Sequence, residues 1–289
     1  MKTPIVHVDP LPAFLVSDAV RMALAEDMGR AGDITTAATV PPTARAHALL
    51  AAREAGRIAG LDLCAAAFRT LDPGITIRIE IPDGADVAPG ETIAVITGHA
   101  RPILSAERVA LNFTGRLSGV TTATAHLVSL VAGTKARVTC TRKTTPGLRA
   151  FEKYAIRCGG GFNHRFALDD GVLIKDNHIV AAGGLTRAIE AARRGAGHMV
   201  HVEVEVDRLD QLDEALAAGA NSILLDNMSP DMLREAVKRT NGRAILEASG
   251  NISAATIASV AATGVDLISS GAITHSAKCL DLGLDFQPL

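Results

Sequence analysis

Basic residues occur in three places where short apolar runs of this sequence end. Arg142 and Lys143 follow "ARVTC", Lys175 ends "GVLIK", and His164 and Arg165 follow "CGGGFN". Arginine binds carboxylates and phosphates through two parallel hydrogen bonds, and several cations around one cavity require a ligand with more than one negative charge. The chain carries a net charge of -2, so its basic character is local. We therefore expect a small polyanion as the ligand.

Carboxylates follow the later apolar runs. Glu205 lies in "HVEVEVD", and Asp226 ends "SILLD" one strand-helix repeat further on. Magnesium prefers a few carboxylates together with waters and substrate phosphates, so this pair could share one Mg²⁺ ion. Pairing of either carboxylate with a nearby lysine is the structural alternative. His164 and His178 do not have the spacing of a zinc pair with a third ligand, which argues against zinc.

Small residues follow the last two apolar runs, as "SGN" at 249–251 and "SGA" at 270–272. Glycine lets the backbone approach a ligand, and a following helix favours an anion at its first residues. In α/β barrels, the loops after the final strands commonly hold a phosphate. Each pair of residues is a weak motif by itself, but together they indicate a phosphate ester.

A repeating pattern of strand and helix from about Gly133 onward positions these residues. Six apolar runs predict strands, and the last four begin at intervals of about 22 residues, which is the length of a βα unit. The runs are "ARVTCT", "GVLIKD", "HVEVEVD", "SILLDN", "RAILEAS" and "VDLISSGAI". They lack polar alternation, which is typical of strands buried on both faces in a parallel sheet or barrel. Functional residues of α/β barrels cluster at the carboxyl ends of the strands.

The ends of the intervening helices can also be predicted. Ser229 followed by Pro230 is expected to begin one helix, and Ser253 another. Left-handed residues are expected just after three helices, at Gly219, Gly242 and Gly264.

The first part of the chain, up to about Gly115, has a different pattern. Helices are predicted around Val16 to Glu26 and near Leu61 to Thr70, followed by short alternating strands in "ITIRIEI" and "ETIAVITG". The segment "SAERVALNFTGRLSGVTTATAHLVSL" then predicts a helix that joins the two parts. We expect a β-rich flanking domain followed by an α/β barrel.

Composition excludes several classes of function. A net charge of -2 argues against a general binder of nucleic acid or membrane surfaces, which rely on a large basic excess. Four cysteines without a CxxC pair are typical of thiols in a reducing cytosol. Prolines and polar residues interrupt the N-terminal apolar residues, and no later run reaches ~18 apolar residues. We expect a cytoplasmic protein without an export signal or membrane span.

Longer motifs carry a resemblance to a known family. The segments "TRKTTPGLRAFEKYAIRCGGGFNHRFALDDGVLIKDNH", "EVEVD", "LLDNMSP", "LEASGNI" and "GAITHSAKCLDLGLDF" closely resemble the quinolinate phosphoribosyltransferases, the carboxylating nicotinate-nucleotide pyrophosphorylases. The likeness also includes "EDMGRAGDITT" and "SAERVALNFTGRLSG". It implies an α/β fold with an N-terminal open-faced α/β sandwich, 1–115 with 275–289, and an incomplete seven-stranded α/β barrel, 116–274. The extreme C-terminus would return to the first domain.

The resemblance also implies a reaction and its residues. Quinolinate would attack C1 of phosphoribosyl pyrophosphate, pyrophosphate would leave, and the C2 carboxylate would be lost as CO2, giving nicotinate mononucleotide for NAD biosynthesis. No Ser-His-Asp or Cys-His set is evident, which is consistent with catalysis by positioning and electrostatics.

The resemblance assigns roles to particular residues. Mg²⁺ or the ribose would meet Glu205 and Asp226, and the enzyme would be a homodimer or a higher oligomer in which Arg108 reaches the neighbouring active site. The implied catalytic residues are Lys143, Lys175, Glu205 and Asp226. The implied substrate-binding residues are Arg108, Arg142, Lys143, His164, Arg165, Lys175, Ser249, Gly250, Asn251, Ser270, Gly271 and Ala272. Family members commonly have "SGG" where this chain has "SGN", so the role of Asn251 is open.

Three other functions are compatible with parts of this pattern. Lys175 at a strand end could be the Schiff-base lysine of a barrel aldolase. A molybdenum-transport-associated relative of the same family shares the fold, and its substrate is less well defined. A ligand-binding protein without catalysis would leave the two magnesium carboxylates unexplained.

Overall fold

The computed structural model describes residues 8–288 and contains two compact units. The first consists of Met1–Ala125, Phe151–Gly160 and Ala277–Leu289, and the second of His126–Ala150 and Gly161–Ser276. The expected domains have somewhat different bounds, because they assign 116–125 and 151–160 to the barrel. Those bounds stay a prediction. No helix among the described residues is both long and apolar enough to cross a membrane.

The N-terminal part contains the helices and strands expected from the sequence, with small differences at their ends. In chain order these elements are α1 (Ala13–Met28), α2 (Ile34–Thr39), β1 (Arg45–Ala52), β2 (Gly56–Arg57), α3 (Leu61–Leu71), β3 (Thr76–Ile79), β4 (Asp86–Val87), β5 (Thr92–His99) and α4 (Ala100–Leu130). Alternate residues of β1, among them Ala46, Ala48 and Leu50, are buried. This period of two is what a strand with one covered face requires.

The remaining elements follow in an alternating order of strand and helix. They are β6 (Arg137–Thr139), α5 (Arg149–Cys158), β7 (Val172–Ile174), α6 (Asp176–Ala182), α7 (Leu185–Gly195), β8 (Val202–Val206), α8 (Leu209–Ala217), β9 (Ser222–Asp226), α9 (Pro230–Thr240), β10 (Ile245–Ser249), α10 (Ile257–Ala261), β11 (Leu267–Ser269), α11 (Ala272–His275) and β12 (Leu282–Pro288). All six strands predicted after Gly133 are confirmed.

The first unit is built on an antiparallel sheet of four strands in the order β12-β1-β5-β3. Strand β12 pairs with β1 over seven residues, with Leu284 opposite Leu50. The C-terminal segment therefore returns to the first unit, as the family resemblance implied. It first passes the glycines of α4, where the backbone N–H of Leu280 donates to the carbonyl of Gly115 at 2.9 Å. Gly115 and Gly119 lie one turn apart on the same face of this helix.

The second unit contains a parallel sheet of six strands in the order β6-β11-β10-β9-β8-β7. Beyond β6, a single parallel bridge joins Thr139 to Phe162. No strand pairing within residues 8–288 joins β7 to β6, so the sheet is an incomplete barrel. The expected α/β fold class with an incomplete barrel is confirmed, but the sheet has six strands where seven were expected, because the segment at Phe162 pairs with β6 through a single bridge.

The helix ends confirm most of the sequence predictions, and one differs. Ser229 caps α9 by accepting a hydrogen bond from the backbone N–H of Met232, and the backbone φ angles of Gly219, Gly242 and Gly264 are positive. The predicted start at Ser253 is wrong, because α10 begins at Ile257. The Ser253 carbonyl accepts from the backbone N–H groups of Thr256 and Ile257 at 3.1 and 3.0 Å, so Ser253 begins a turn that precedes the helix.

We predict that Gly119→Ala lowers the melting temperature, corresponding to a loss of about 1–3 kcal/mol from overpacking. A Cβ atom at Gly119 would overlap the backbone carbonyl of Lys278, which a side-chain rotation cannot move away. Thermal unfolding followed by circular dichroism measures the effect. Gly195→Ala is the matched control, since Gly195 also lies in a helix and its Cβ would meet nothing within 4 Å. An unchanged or higher melting temperature for Gly119→Ala would contradict the packing of the C-terminal segment on α4.

Candidate active site

The carboxyl ends of the parallel strands carry most of the functional residues proposed from sequence. Those at strand ends are Arg142 and Lys143 after β6, Lys175 after β7, Glu205 in β8, Asp226 at the end of β9, Ser249 at the end of β10, and Ser270 after β11. His164 and Arg165 follow Phe162, which pairs with β6. The carboxyl ends of parallel strands lie at one edge of a sheet, so these residues share that edge.

Strand alternation determines which side chains share a face. The Ser222 hydroxyl donates to Glu203 at 3.1 Å, so β8 and β9 present these residues on the same side. Side chains alternate in direction along a strand, so Glu205 and Asp226 lie on that side too. Glu203 is nearly fully buried, whereas Glu205 and Asp226 are half-buried nearer the carboxyl ends.

Two arginine side chains form the basic part of the site. Arg142 and Arg165 each have a buried Nε atom that lacks a hydrogen-bond partner among the described residues. Burial lowers the pKa of the Arg165 guanidinium, and the nearby positive charge of Arg142 lowers it further. Arg165 is held by a 2.8 Å hydrogen bond from Nη1 to the carbonyl of Gly171. Two neighbouring guanidinium groups with unfilled donors can bind an anion that satisfies both.

Lys175 lies beside the acidic part of the site. Its Nζ atom is 2.6 Å from Oε2 of Glu205, because β7 and β8 pair in parallel with Ile174 opposite Val204. The lysine partner considered for Glu205 is therefore present. A Schiff-base lysine must attack as an uncharged amine, whereas an ammonium in an ion pair is suited to holding anions. This contact disfavours the aldolase alternative.

Glu205 and Asp226 satisfy the chemical requirements of the predicted magnesium pair. Asp226 accepts a 2.8 Å hydrogen bond from Asn227 through Oδ2, and Glu205 uses Oε2 for Lys175. Among the described residues, Oε1 of Glu205 and Oδ1 of Asp226 have no hydrogen-bond donor. Two carboxylate oxygens on one face of neighbouring strands are the hard ligands that Mg²⁺ uses together with water.

His164 is directed towards two carboxyl groups of the barrel interior. Its Nε2 atom is 3.1 Å from Oε2 of Glu203 and 3.9 Å from Oε1 of Glu247. Its Nδ1 atom accepts a hydrogen bond from the backbone N–H of Arg165 at 2.8 Å. Because Nδ1 is an acceptor, the ring proton of this neutral histidine lies on Nε2 and is donated to Glu203.

The same three side chains lie close enough together to share a metal ion, with one potential ligand atom of each within 4.8 Å of the others. A metal ion would bind a lone pair on Nε2, the nitrogen that carries the proton. Transfer of that proton to Nδ1 would place it against the N–H of Arg165. The hydrogen bonds therefore disfavour a cation at this cluster.

The loops after β9 and β10 are joined through Asn227. Its backbone N–H donates to the carbonyl of Ser249 at 2.9 Å, and its side chain packs against Gly250, leaving no space for a Cβ atom there. The Nδ2 atom of Asn251 is 3.3 Å from Oδ1 of Asn227. Gly250 has a φ angle of 94°, so both its conformation and its surroundings require glycine.

The loop after β6 is joined to the segment after β11. The Thr274 hydroxyl donates to the backbone carbonyl of Lys143 at 2.7 Å. A Cβ atom at Gly271 would lie 3.0 Å from Cδ of Lys143 and 3.1 Å from the His275 ring. Lys143 is therefore next to the predicted phosphate segment, in which Gly271 precedes α11 and Ala272 begins it.

Arg108 is exposed on α4 in the first unit. Its predicted role at a neighbouring active site stays a prediction.

The residues predicted for the site do not include His275 or the two buried glutamates beneath the site, Glu203 and Glu247. The strand period could have identified Glu203, because it lies two residues before Glu205 and so shares its face. His275 lies in a short helix whose sequence pattern carries no signal for its position near Gly271.

Comparison with known proteins identifies relatives that share this incomplete barrel. Residues 33–118 match the N-terminal domain model, and residues 120–285 the C-terminal domain model, of quinolinate phosphoribosyl transferase. A carboxylating nicotinate-nucleotide pyrophosphorylase from Mycobacterium leprae is 44% identical over 276 residues, which cover 93% of this chain and 96% of the relative. A chloroplastic enzyme of the same name from Arabidopsis thaliana is 40% identical, covering 94% of this chain and 83% of the relative.

Solved structures show the same similarity. The nicotinate-nucleotide pyrophosphorylase from Francisella tularensis superposes with a TM-score of 0.93 at 42% identity, covering 99% of this chain and 100% of that one. The fold defines an incomplete α/β-barrel protein that carries its charged residues at the carboxyl edge of the sheet. The chain belongs to the quinolinate phosphoribosyltransferase family, as the sequence resemblance indicated.

We predict that Glu247 makes stability depend on pH. Burial raises the pKa of Glu247 from 4.5 to about 7, and the nearby charge of Glu203 acts in the same direction. The folded protein then holds a proton that the unfolded chain releases, so stability falls as pH rises from about 4.5 through 7, by up to about 1.4 kcal/mol per pH unit. Chemical denaturation of wild type and Glu247→Gln between pH 4.5 and 8 measures this slope. Parallel profiles for the two proteins would contradict it.

Proposed function

We propose that this protein transfers the phosphoribosyl group of phosphoribosyl pyrophosphate to quinolinate with decarboxylation, yielding nicotinate mononucleotide, pyrophosphate and CO2. The observation that carries the proposal is the pair formed by Arg142 and Arg165, whose buried Nε donors have no partner among the described residues. Quinolinate has two adjacent carboxylates and can satisfy both guanidinium groups. The names of the relatives support the same substrate class.

The other part of the site suits the phosphorylated sugar. The Asn227 side chain occupies the space beside Gly250, and Lys143 lies beside Gly271, so both glycine loops are packed closely against neighbouring residues of the site. A lysine ammonium can neutralise part of the charge of a pyrophosphate group. We assign Ser249 to Asn251 and Ser270 to Ala272 to the 5′-phosphate, and Lys143 to the pyrophosphate.

Magnesium would be held by Glu205 and Asp226, each of which keeps one carboxylate oxygen without a donor among the described residues. When bound, the ion would stabilise negative charge on the leaving pyrophosphate. The ion pair between Lys175 and Glu205 fixes the Glu205 carboxylate between the basic and acidic parts of the site, whether or not the metal ion is bound.

The proposed chemistry requires little covalent participation by the protein. The bond from C1 of the ribose to pyrophosphate breaks, and the ring nitrogen of quinolinate forms a new bond to C1. The bond from C2 of the pyridine to its carboxylate then breaks, CO2 leaves, and C2 takes up one proton. The quaternised ring nitrogen stabilises the electron pair left at C2. Binding the dianion and excluding water are therefore the main tasks of the cationic residues.

The decisive experiment incubates the protein with quinolinate, phosphoribosyl pyrophosphate and Mg²⁺ and measures nicotinate mononucleotide and CO2 in equal amounts. Stoichiometric products would support the proposal and exclude a protein that only binds ligands. Absence of both products from a folded protein that binds another anion would favour the molybdenum-transport-associated relative.

We predict that nicotinate is a very poor substrate compared with quinolinate. Removal of the C2 carboxylate leaves a buried guanidinium group without a partner, which costs several kcal/mol and lowers kcat/KM by at least about 100-fold. Initial rates with each acid at saturating phosphoribosyl pyrophosphate measure the ratio. Comparable rates would exclude Arg142 and Arg165 as a clamp for two carboxylates.

We predict that Glu205→Ala and Asp226→Ala impair the use of Mg²⁺ and phosphoribosyl pyrophosphate more than quinolinate binding. These carboxylates provide the metal ligands in our assignment, so turnover should fall by about 100-fold or more and the Mg²⁺ requirement should rise. Magnesium titrations of turnover and calorimetric binding of quinolinate separate the two effects. Asp231→Ala, on the exposed first turn of α9, is the control. Equal losses of quinolinate affinity and turnover would refute the assignment.

We predict that Arg108 completes the site of the other subunit in a homodimer. Arg108→Ala and Lys143→Ala chains should each be nearly inactive, and mixing them should restore up to about a quarter of the activity, because a mixed dimer has one site with both residues intact. Fluorescently labelled chains must first demonstrate subunit exchange. If exchange occurs and activity does not return, Arg108 acts in its own subunit or has no role in the site.

A further inference from the structure

One carboxylate beneath the anion site has no role in the proposed reaction. Glu203 is 5% exposed and accepts hydrogen bonds through both oxygens, Oε1 from the Ser222 hydroxyl and Oε2 from Nε2–H of His164. It lies two residues before Glu205 on the same face of β8. A buried carboxylate is costly unless it is paired, so its contact with His164 is a structural requirement.

Both ring nitrogens of His164 are engaged by the protein. Nδ1 accepts from the backbone N–H of Arg165, and Nε2–H donates to Glu203. A neutral imidazole has a single donor, and here that donor is directed to Glu203. A hydrogen bond from His164 to a substrate carboxylate would require this contact to break.

The ring also connects Glu203 to Arg165. Glu203 fixes the ring from the sheet, and the ring fixes the backbone of Arg165 through Nδ1. At the other end of the residue, the Arg165 side chain donates to the carbonyl of Gly171. The negative charge of Glu203 also reaches the Arg165 guanidinium. The orientation of this arginine therefore depends on a carboxylate of the barrel interior.

We propose that Glu203 is a positioning residue for quinolinate binding, which acts by holding His164 in its Nε2–H tautomer and thereby orienting Arg165. This inference rests on the proposed function. It changes the role that the family resemblance implies for His164, which becomes a link between Glu203 and Arg165 rather than a ligand of the substrate.

Two substitutions of Glu203 separate hydrogen bonding from charge. In Glu203→Gln the amide oxygen can still accept from His164, and the amide N–H can donate to Ser222, because a hydroxyl can also accept. Glu203→Leu removes both contacts at similar volume. We expect Glu203→Leu to raise the dissociation constant for quinolinate by about 10- to 100-fold, because displacement of the Arg165 guanidinium by about 1 Å can cause a change of that size. We expect Glu203→Gln to stay within about threefold of wild type.

The matched control is Glu247→Gln. Glu247 is as buried as Glu203 and belongs to the same cluster, but its Oε1 is 3.9 Å from His164 and has no hydrogen-bond partner among the described residues. The positioning role therefore predicts wild-type quinolinate affinity for Glu247→Gln. If Glu247→Gln weakens binding as much as Glu203→Leu does, the effect comes from disturbance of the interior and the inference is wrong.

A double-mutant cycle tests whether His164 acts through Glu203. His164→Phe keeps a ring and removes both hydrogen bonds. We expect His164→Phe to weaken quinolinate binding about as much as Glu203→Leu does. The double variant should then bind quinolinate with a dissociation constant no higher than that of the single variant with the lower affinity. A direct ligand role for His164 would instead give a large effect of His164→Phe, near-wild-type binding by Glu203→Leu, and additive effects in the double variant.

The ring tautomer supplies a readout that does not depend on activity or on the stability of a variant. In wild-type protein labelled with ¹⁵N-histidine, the His164 signals, assigned by their absence from His164→Phe, should show the proton on Nε2 with and without quinolinate. A proton on Nδ1, or a doubly protonated ring in the complex, would overturn the inference. Calorimetry separates the two proposals, because failure of wild type to bind quinolinate contradicts the proposed function, whereas equal binding by wild type and Glu203→Leu contradicts the role of Glu203 alone.

Discussion

The electrostatic repulsion between Arg142 and Arg165 is the constraint on which the site depends. Both side chains keep a buried Nε donor without a partner among the described residues, and the charge of Arg142 lowers the pKa of Arg165. Such an arrangement costs free energy, because buried donors have lost water without gaining a partner. The rest of the protein must supply that free energy, and an anion that fits between the two guanidinium groups would recover it on binding. Under the proposed function, stability given up in the free protein would become selectivity for a ligand with two negative charges.

The parallel sheet is the rigid element that makes this arrangement possible. Its strands pair in register from β6 to β7, so residues of different strands occupy fixed levels above the interior. Glu203 and Glu247 lie at the buried level, and Glu205 and Asp226 lie one step nearer the carboxyl edge. Of the deeper pair, Glu203 contacts the loop that carries His164 and Arg165, and the outer carboxylates are more exposed than either.

Local sequence patterns predicted the elements well because their determinants are themselves local. The six strands, the cap at Ser229 and the positive φ angles after three helices all follow from apolar runs, capping residues and glycines. Pairings between distant side chains leave no such signal. Glu152 and Arg116 form a 2.6 Å ion pair in the first unit although 36 positions separate them, and Glu152 is fully buried. A glutamate in an amphipathic helix is ordinarily expected in solvent.

The candidate site shows the same limit. Strand periodicity brings charged groups to one edge, but it cannot assign a hydrogen-bond partner to each group. His164 illustrates this, because its contacts with Glu203 and with the backbone of Arg165 come from a loop that folds back over the sheet. Its residue type and its place in a motif suggested a substrate ligand. The direction of its ring proton, which only the tertiary structure determines, suggests a different role.

Asn251 shows how a loop can keep its shape when one residue departs from the family pattern. Its φ angle is 51°, in the left-handed region that glycine occupies without strain and that asparagine tolerates better than other residues. Asparagine therefore preserves the backbone path expected of a second glycine after Gly250. Its side chain adds a contact that glycine lacks, since Nδ2 reaches Oδ1 of Asn227, and Asn227 in turn donates to Asp226. The loop assigned to the 5′-phosphate is thereby linked to a carboxylate assigned to magnesium, so an ordered position for one favours an ordered position for the other.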